Sequence, residues 1–324
     1  MKEFIAHPWL RNAHAMTIVA SVWPRKFPRL PAGVERLYEV EPETRIRAWC
    51  HWQAEPQRHP TLIMVHGLEG SVESTYMLGA AEKAYAAGYN AIRLNQRNCG
   101  GSEHLTPTLY NSGLSADFRA VIAELIERDA LREIFIAGYS MGGNLVLKMA
   151  GEMGAAYPPE LRAVIAVSPT LELSPCVDAI DRPSNWFYQQ RFMRNLRARM
   201  RRKIALYPDR YRVNGLEKLR TIREFDDAIT APHCGYRDAA DYYHRASAAR
   251  VIANVRVPTL VITAKDDPFI PFHPFEDAAI RSNPAITLMA TEHGGHCGFF
   301  SASGGDERFW AEARILEFCE AHRA

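Results

Sequence analysis

Short runs of apolar residues alternate along the chain with stretches in which apolar positions recur at helical spacing. The runs are four or five residues long, which is typical of strands buried on both faces of a sheet. They lie at residues 61–65, 90–94, 133–137, 163–167, 259–263 and 286–289. Stretches with helical character separate most of them, at residues 76–87, 115–128, 144–153 and 275–280. This alternation predicts an α/β fold, with a mostly parallel sheet and helices on both faces.

The alternation is modified at two places. Near the start, residues 35–40 and 45–52 predict an antiparallel hairpin that leads into the sheet. After Val167 no convincing strand follows until Val257, and this stretch is too long for a loop. We therefore expect a helical cap inserted after the sixth strand. The expected domains are an α/β core in two parts, residues 1–168 and 257–324, and a helical cap or lid, residues 169–256.

Composition and charge exclude several classes of protein. Hydrophobic residues make up 47% and charged residues 23%, as in ordinary globular proteins. With 39 Lys and Arg against 37 Asp and Glu, the net charge of +2 gives no reason to expect a nucleic-acid partner. No run reaches the ~18 apolar residues of a membrane-spanning helix, so no transmembrane segment is expected. The six cysteines are scattered without a C-x-x-C pair, which predicts reduced thiols and a cytoplasmic location.

The sharpest chemical signal is the sequence Gly-Tyr-Ser-Met-Gly-Gly at residues 138–143. It follows a predicted strand and precedes a predicted helix, which is the context in which G-x-S-x-G forms a nucleophile elbow. The flanking glycines leave room for a sharp turn that exposes the hydroxyl of Ser140. The helix behind it directs its amide dipoles toward the reacting atoms. Ser140 is therefore the candidate nucleophile.

A serine hydroxyl needs a base within hydrogen-bonding distance and a carboxylate that orients the base. Acidic residues follow the predicted strand at 259–263, and histidines follow the run at 286–289. The order Ser140, Asp267, His296 is the hydrolase order. Asp266 and His293 compete for the two supporting roles. We favour Asp267, because D-P-x-x-P is a common form of such acid turns, and His296, because glycines precede it.

The oxyanion of a tetrahedral intermediate requires preorganised donors, which two backbone amides supply in such folds. The first is expected to be the N–H of Met141, directly after the nucleophile. The second is expected from residues 66–70, with Leu68 N–H as the best candidate.

Each of these signals also has a simpler interpretation. A G-x-S-x-G sequence occurs by coincidence in loops, His293 and His296 could be structural, and the two aspartates could form a solvated turn. The two histidines could also bind a metal, but Gly294 and Gly295 separate them, unlike the helical H-E-x-x-H pattern. The catalytic interpretation is favoured because every element follows a predicted strand in the required order. No metal and no cofactor are expected.

Several motifs together resemble the α/β-hydrolase superfamily, and more narrowly its YheT-like branch of predicted esterases, which is related to membrane-anchored eukaryotic lipases. The resemblance covers nearly the whole chain. Beyond the elbow, it rests on residues 97–102, Tyr110, Gly113, Asp117, residues 225–227, residues 230–232, residues 241–243, residues 266–269 and residues 294–299. Two departures occur: residues 12–17 match N-x-H-x-Q-T except for Met16 at the Gln position, and Asn98 replaces a common Gly. The resemblance implies the α/β-hydrolase fold, the triad Ser140, Asp267 and His296, and hydrolysis of carboxylic esters.

The expected cap contains a strongly basic stretch. Residues 191–203 carry seven Arg and Lys side chains and no acid. Met193, Leu196 and Met200 recur at helical spacing and predict an apolar stripe opposite a basic face. Either the arginines lie in water, or the helix is a lid whose charge favours anionic substrates or lipid headgroups. Three aromatic residues, Trp186, Phe187 and Phe192, could line an acyl pocket or form the core of the cap.

The sequence therefore predicts a serine carboxylesterase that cleaves a small acyl ester, of short to medium chain and possibly derived from a lipid, through an acyl-enzyme. One alternative is an acyltransferase that uses the same triad. Another is a catalytically silent binding protein of the same fold. A haloalkane dehalogenase is disfavoured, because such an enzyme has Asp at the position of Ser140. The oligomeric state is not predicted.

Overall fold

A single eight-stranded sheet organises the protein, in a computed structural model that describes residues 1–324. The strands are β1 (Val34–Glu41), β2 (Thr44–His51), β3 (Thr61–Val65), β4 (Asn90–Leu94), β5 (Ile134–Tyr139), β6 (Leu161–Val167), β7 (Thr259–Ala264) and β8 (Ile286–Thr291). Their order in the sheet is β1-β2-β4-β3-β5-β6-β7-β8. β2 pairs antiparallel with β1 and β4, and all other pairs are parallel. The predicted hairpin and the mostly parallel sheet are confirmed.

Helices cover the sheet on both faces. The helices are α1 (Ala13–Val22), α2 (Thr75–Ala86), α3 (Ala116–Glu127), α4 (Met141–Met153), α5 (Leu173–Ile180), α6 (Trp186–Leu206), α7 (Ile222–Phe225), α8 (Ala231–His233), α9 (Ala239–Ala246), α10 (Ala278–Arg281) and α11 (Trp310–Ala321). Ile63 and Val65 of β3 pack in one apolar cluster with α3 and α4, whereas Leu62 and Met64 pack in a second with α2 and α11. Since successive strand residues point to opposite faces, both faces are buried, as predicted.

Three local expectations differ from the structure. β8 at the sheet edge is only half-buried, because it pairs on one side alone. The stretch predicted as a helix at 275–280 is a 3-10 turn followed by the short α10. The N-cap of α10 is Asp277, whose side chain accepts the N–H of Ala279. α1 was not predicted. Its N-cap is Asn12, whose side chain accepts the N–H of Ala15.

Between β6 and β7 the chain forms helices and turns and no strand, in the segment that we call the helical insertion (residues 169–256). It contains α5 to α9 and a π-helical turn, Asp226–Thr230, between α7 and α8. The predicted stripe on α6 is buried, with Met193, Leu196 and Met200 each at most 4% exposed. None of the helices is both long and apolar enough to cross a membrane.

The basic face of α6 does not lie in water along its whole length. Arg199 and Lys203 are 6% and 0% exposed, so the expectation of solvated cations is wrong for these two. Both side chains point into the protein, where they find polar partners. Arg199 forms an ion pair with Glu69, and Lys203 donates hydrogen bonds to the carbonyl oxygens of Glu103 and Thr106. Partners also hold three further cations: Leu219 O for Arg197, Glu217 for Arg201 and Glu103 for Arg202. Only Arg191 and Arg194 of the stretch are exposed without a carboxylate partner.

Candidate active site

Ser140 lies in a strained turn between β5 and α4. Its backbone angles are φ 53° and ψ −118°, a region that non-glycine residues rarely occupy. The turn is possible because the flanking glycines pack against backbone: a Cβ on Gly138 would lie 2.2 Å from Gly142 O, and one on Gly142 would lie 2.5 Å from His66 O. The predicted elbow geometry is present.

His296 and Asp267 form a hydrogen-bonded pair beside this turn. The Nδ1 of His296 lies 2.9 Å from the Oδ2 of Asp267, whose side chain is fully buried. The other carboxylate oxygen accepts the N–H groups of Phe269 and Ile270, at 2.8 and 3.1 Å. These donors fix the position of the carboxylate. Burial is the largest single influence on the pKa of His296 and would lower it, but the charge and hydrogen bond of Asp267, together with Cys297, raise that pKa well above its ordinary value.

The rival residues form a second pair. His293 Nδ1 lies 3.2 Å from Asp266 Oδ2, and the His293 side chain is 44% exposed against 14% for His296. His296 lines the same two cavities as Ser140, whereas His293 lines neither. The two histidines therefore bind different carboxylates, and only one of them faces the candidate nucleophile.

Two backbone amides next to Ser140 are free to bind an anion. Leu68 and Met141 line the inner cavity with Ser140, and neither N–H donates a hydrogen bond within the protein. Met141 is the first residue of α4, so its N–H has no acceptor in the helix. The structure thus brings both predicted oxyanion donors to the nucleophile.

A buried histidine fixes the loop that carries Leu68. The Nε2 of His66 accepts the N–H of Gln96 at 3.1 Å, so the proton is assigned to Nδ1, which donates to Gly67 O at 2.8 Å. Burial lowers the pKa of His66 to about 4, which keeps the ring neutral in this role. Tyr76 OH accepts the N–H of Gly67 at 3.1 Å from the other side.

The inner cavity extends from Ser140 under the helical insertion. Of its 26 lining residues, 17 are hydrophobic. Such a lining is typical of a site for an apolar ligand. Of the aromatic residues considered from sequence, Phe192 lines this cavity and Trp186 is exposed.

Buried charges also reach the wall of the inner cavity. Arg199 binds Glu69 and lies 4.0 Å from the ring centroid of Tyr110, whose hydroxyl donates to Glu69 at 2.7 Å. Asp226 accepts the hydroxyl of Tyr243 at 2.8 Å, and burial raises the pKa of this carboxyl to about 6. Reasoning from chemistry did not find Tyr110, Asp226 and Tyr243 as site residues. The signal for them was their place in the motifs of the resemblance.

An outer groove leads from Ser140 and His296 to the surface. It lies between α1 and the start of α6, with Ile18, Val22 and Phe187 on its walls. Phe187 thus lines the groove rather than the inner cavity. Ser140 and His296 are therefore positioned where two cavities meet.

Comparisons with known proteins agree with this arrangement. The family model of the alpha/beta hydrolase fold matches residues 60–303. Over 318 residues the chain is 33% identical to "Putative esterase YheT" of Escherichia coli (strain K12), across 98% of this chain and 92% of that protein. Over 263 residues it is 30% identical to phospholipase ABHD3 of Mus musculus, across 81% of this chain and 64% of that protein. It thus spans less than two thirds of the length of this second relative.

A similar fold occurs in the solved structure of the Pyrococcus furiosus esterase Pf2001. The TM-score is 0.62 at 15% sequence identity, and the match covers 100% of both chains. At this identity the likeness concerns the course of the backbone, and it carries no information about the substrate.

Proposed function

The chain belongs to the α/β-hydrolase fold family, and from this premise we propose that it is a serine carboxylesterase with Ser140, Asp267 and His296 as its catalytic triad. The observation that carries the proposal is that the strained Ser140 lines the same cavity as His296, which is hydrogen-bonded to the buried Asp267. The relatives named as an esterase and a phospholipase support an enzyme that hydrolyses esters.

The proposed reaction has two steps. Ser140 Oγ attacks the ester carbonyl carbon while its proton passes to His296 Nε2, and the N–H groups of Leu68 and Met141 bind the oxyanion. Collapse of the intermediate expels the alcohol, which takes the proton from His296. In the second step His296 removes a proton from water, which attacks the acyl-enzyme. Collapse of this second intermediate returns the proton from His296 to Ser140 Oγ, so the products are the acid and free Ser140. Asp267 orients and stabilises the imidazolium in both steps.

The two cavities assign the two parts of the ester. The apolar inner cavity, whose lining residues are all buried or half-buried, would hold a short to medium acyl chain. The outer groove, which opens to the surface, fits the alcohol part and gives the leaving group a way out. In this proposal the helical insertion is the cap of the enzyme, because its helices line the inner cavity. We also propose a cytoplasmic location, on the spacing of the cysteines.

The proposal is tested by Ser140→Ala, with Ser303→Ala as a control at an exposed position. Ser140→Ala should abolish hydrolysis of nitrophenyl esters and labelling by a fluorophosphonate, while Ser303→Ala keeps both. Mass spectrometry of the labelled wild type should locate the adduct on Ser140. A Ser140→Ala variant that keeps most of the rate would overturn the triad.

The acyl assignment has its own test. Leu196 lines the inner cavity from α6, whereas Leu206 on the same helix is 47% exposed. Leu196→Trp should lower kcat/KM for long acyl esters far more than for acetate esters, and Leu206→Trp should change neither. An equal loss for all chain lengths would show that the acyl chain lies elsewhere.

The open groove also admits an acceptor other than water, which favours acyl transfer as the second candidate function. Product analysis with and without added alcohols or amines separates the two. Free acid in the presence of acceptors supports hydrolysis, and a dominant transferred product supports the acyltransferase.

A further inference from the structure

In the loop that carries His296, three consecutive backbone N–H groups donate hydrogen bonds to side-chain oxygens. Gly295 N–H donates to Asp266 Oδ1 at 3.0 Å. His296 N–H donates to Thr17 Oγ1 at 2.8 Å, and Cys297 N–H donates to Ser168 Oγ at 3.1 Å. Asp266 follows β7, Thr17 lies in α1 and Ser168 follows β6. Distant parts of the chain therefore meet at this loop.

Among the three, Thr17 binds the amide of the candidate base itself. Its hydroxyl is fully used, because it also donates to Ala13 O at 2.7 Å. Serine could make both hydrogen bonds at this position. Valine has the same shape but neither donates nor accepts, so it would leave the His296 N–H without its partner.

α1 packs against the loop at close range. A Cβ on Gly295, which has φ +56°, would lie 2.6 Å from both Ala13 O and Thr17 Oγ1. One on Gly298 would lie 3.1 Å from Met16, which is fully buried. α1 and the loop therefore fit each other through glycine contacts and one side-chain hydrogen bond.

α1 also touches the helical insertion. The Nδ1 of His14 lies 3.4 Å from Tyr188 OH, and the two rings stack at 5.8 Å. Tyr188 packs edge-on against Phe269, which packs edge-on against His296. α1 thus contacts the backbone of His296 directly and its imidazole through two aromatic rings.

We propose that Thr17 is a positioning residue for His296, and that α1, which lies outside the family match of residues 60–303, completes the active site of this chain. The inference rests on the proposed function. The Thr17 hydroxyl sets where the His296 backbone lies, and the Asp267 bond then aims the imidazole at Ser140. A displacement of about 1 Å in such a group is enough to cost roughly a hundredfold in rate.

The test compares Thr17→Val with Thr17→Ser in the full chain. Thr17→Val should lower kcat for a nitrophenyl ester and the rate of fluorophosphonate labelling by ten- to a hundredfold, with KM within about twofold. Thr17→Ser should stay within threefold of wild type. The acid limb of the Thr17→Val pH–rate profile should also move to lower pH, because a misplaced imidazole loses part of its interaction with Asp267. A residue that only supports the fold would not move that limb.

Each outcome decides the proposal. It is overturned if Thr17→Val lowers kcat by less than tenfold, if Thr17→Ser loses as much as Thr17→Val, or if only KM changes. If Thr17→Val does not fold, Thr17→Ala is compared with Thr17→Ser by the same criteria. Ser140→Ala in the same assay separates the two proposals: retained activity there overturns the triad itself, whereas loss there and none in Thr17→Val overturns the role of Thr17 alone.

Discussion

The cavity proposed as the active site has two unlike halves, the ends of the strands and the helical insertion. At the strand ends, the backbone fixes the groups that face the cavity, as the positive φ of Ser140 and the glycine contacts around it show. In the helical insertion, side chains form the wall, and several of them are buried ionisable groups held by a few polar partners. The groups at the strand ends are held in place because close backbone contacts leave the chain no other conformation there. The helical insertion depends on interactions that single substitutions remove.

This difference suggests how the two halves respond to change. Substitutions at the strand ends should act on the rate, since they alter atoms that take part in the reaction. Substitutions in the helical insertion should act on stability and on the shape of the cavity, since a buried charge without its partner is costly. The following substitutions test this division, from the largest expected effect to the smallest.

The largest effect is expected for His296, and His293 serves as its control. His296→Asn should lower kcat/KM for a nitrophenyl ester by about a thousandfold or more, because the base is lost. His293→Asn removes the histidine of the second pair, His293–Asp266, and should lower kcat/KM by less than tenfold. Steady-state kinetics of both variants check this. A greater loss in His293→Asn would mean that the second pair is the catalytic one.

The next effect concerns the buried ion pair of the helical insertion. Arg199→Met leaves the Glu69 carboxylate without its cationic partner and with the Tyr110 hydroxyl as a neutral donor, so the free energy of unfolding should fall by about 3–5 kcal/mol. Arg194→Met, at an exposed position on the same helix, should leave it unchanged. Urea unfolding measures both. Adding Glu69→Gln to Arg199→Met should restore part of the loss; if it restores nothing, the pair is not the cause.

Asp226 gives a smaller effect that depends on pH. Its pKa of about 6 in the folded protein lies above the ordinary value of 3.8, so protonation of Asp226 stabilises the folded state. This contribution to the free energy of unfolding is fully present below pH 3.8 and is lost as the pH rises through 6. Asp226→Asn should therefore stabilise the protein at pH 8 by roughly 2–3 kcal/mol and have little effect at pH 4. Denaturant unfolding at the two pH values checks this. A destabilised variant at pH 8 would show that the charge is needed.

The pH dependence of the rate tests the strand ends again. Because the Asp267 charge raises the pKa of His296 above its ordinary value of 6.5, kcat/KM should fall about tenfold per unit below a midpoint higher than 6.5. In Asp267→Asn the residual activity should titrate at a lower pH. A wild-type midpoint at or below 6.5 would contradict the charged pair.

The smallest effects are expected at the exposed aromatic residues of α6. Phe187 and Trp186 are 64% and 62% exposed, but only Phe187 lines the outer groove. Phe187→Ser and Trp186→Ser should each change the free energy of unfolding by about 0.5 kcal/mol or less. Phe187→Ser should also raise KM a few-fold for esters of bulky alcohols, and Trp186→Ser should not. Equal KM values would argue against an alcohol site in the groove.

The sheet and the nucleophile turn could be predicted because local sequence determines them. Apolar runs mark β3 to β7, and G-x-S-x-G between a strand and a helix requires one sharp turn. The partners of Arg199 could not be predicted, because Glu69 and Tyr110 are distant in sequence and only the fold brings them to α6. α1 was missed for a related reason: its apolar run is short, and its contact with the His296 loop depends on a tertiary hydrogen bond.

The bond between Thr17 and His296 joins residues that are 279 positions apart. Contacts of such long range form late, since the loop between them must close before they contribute any stability. During synthesis, the elbow of Ser140 would emerge from the ribosome well before His296 exists to activate it. With the proposed triad, a chain that still lacks His296 would be inert toward esters, and hydrolysis would reach its full rate only after α1 docks onto the finished sheet.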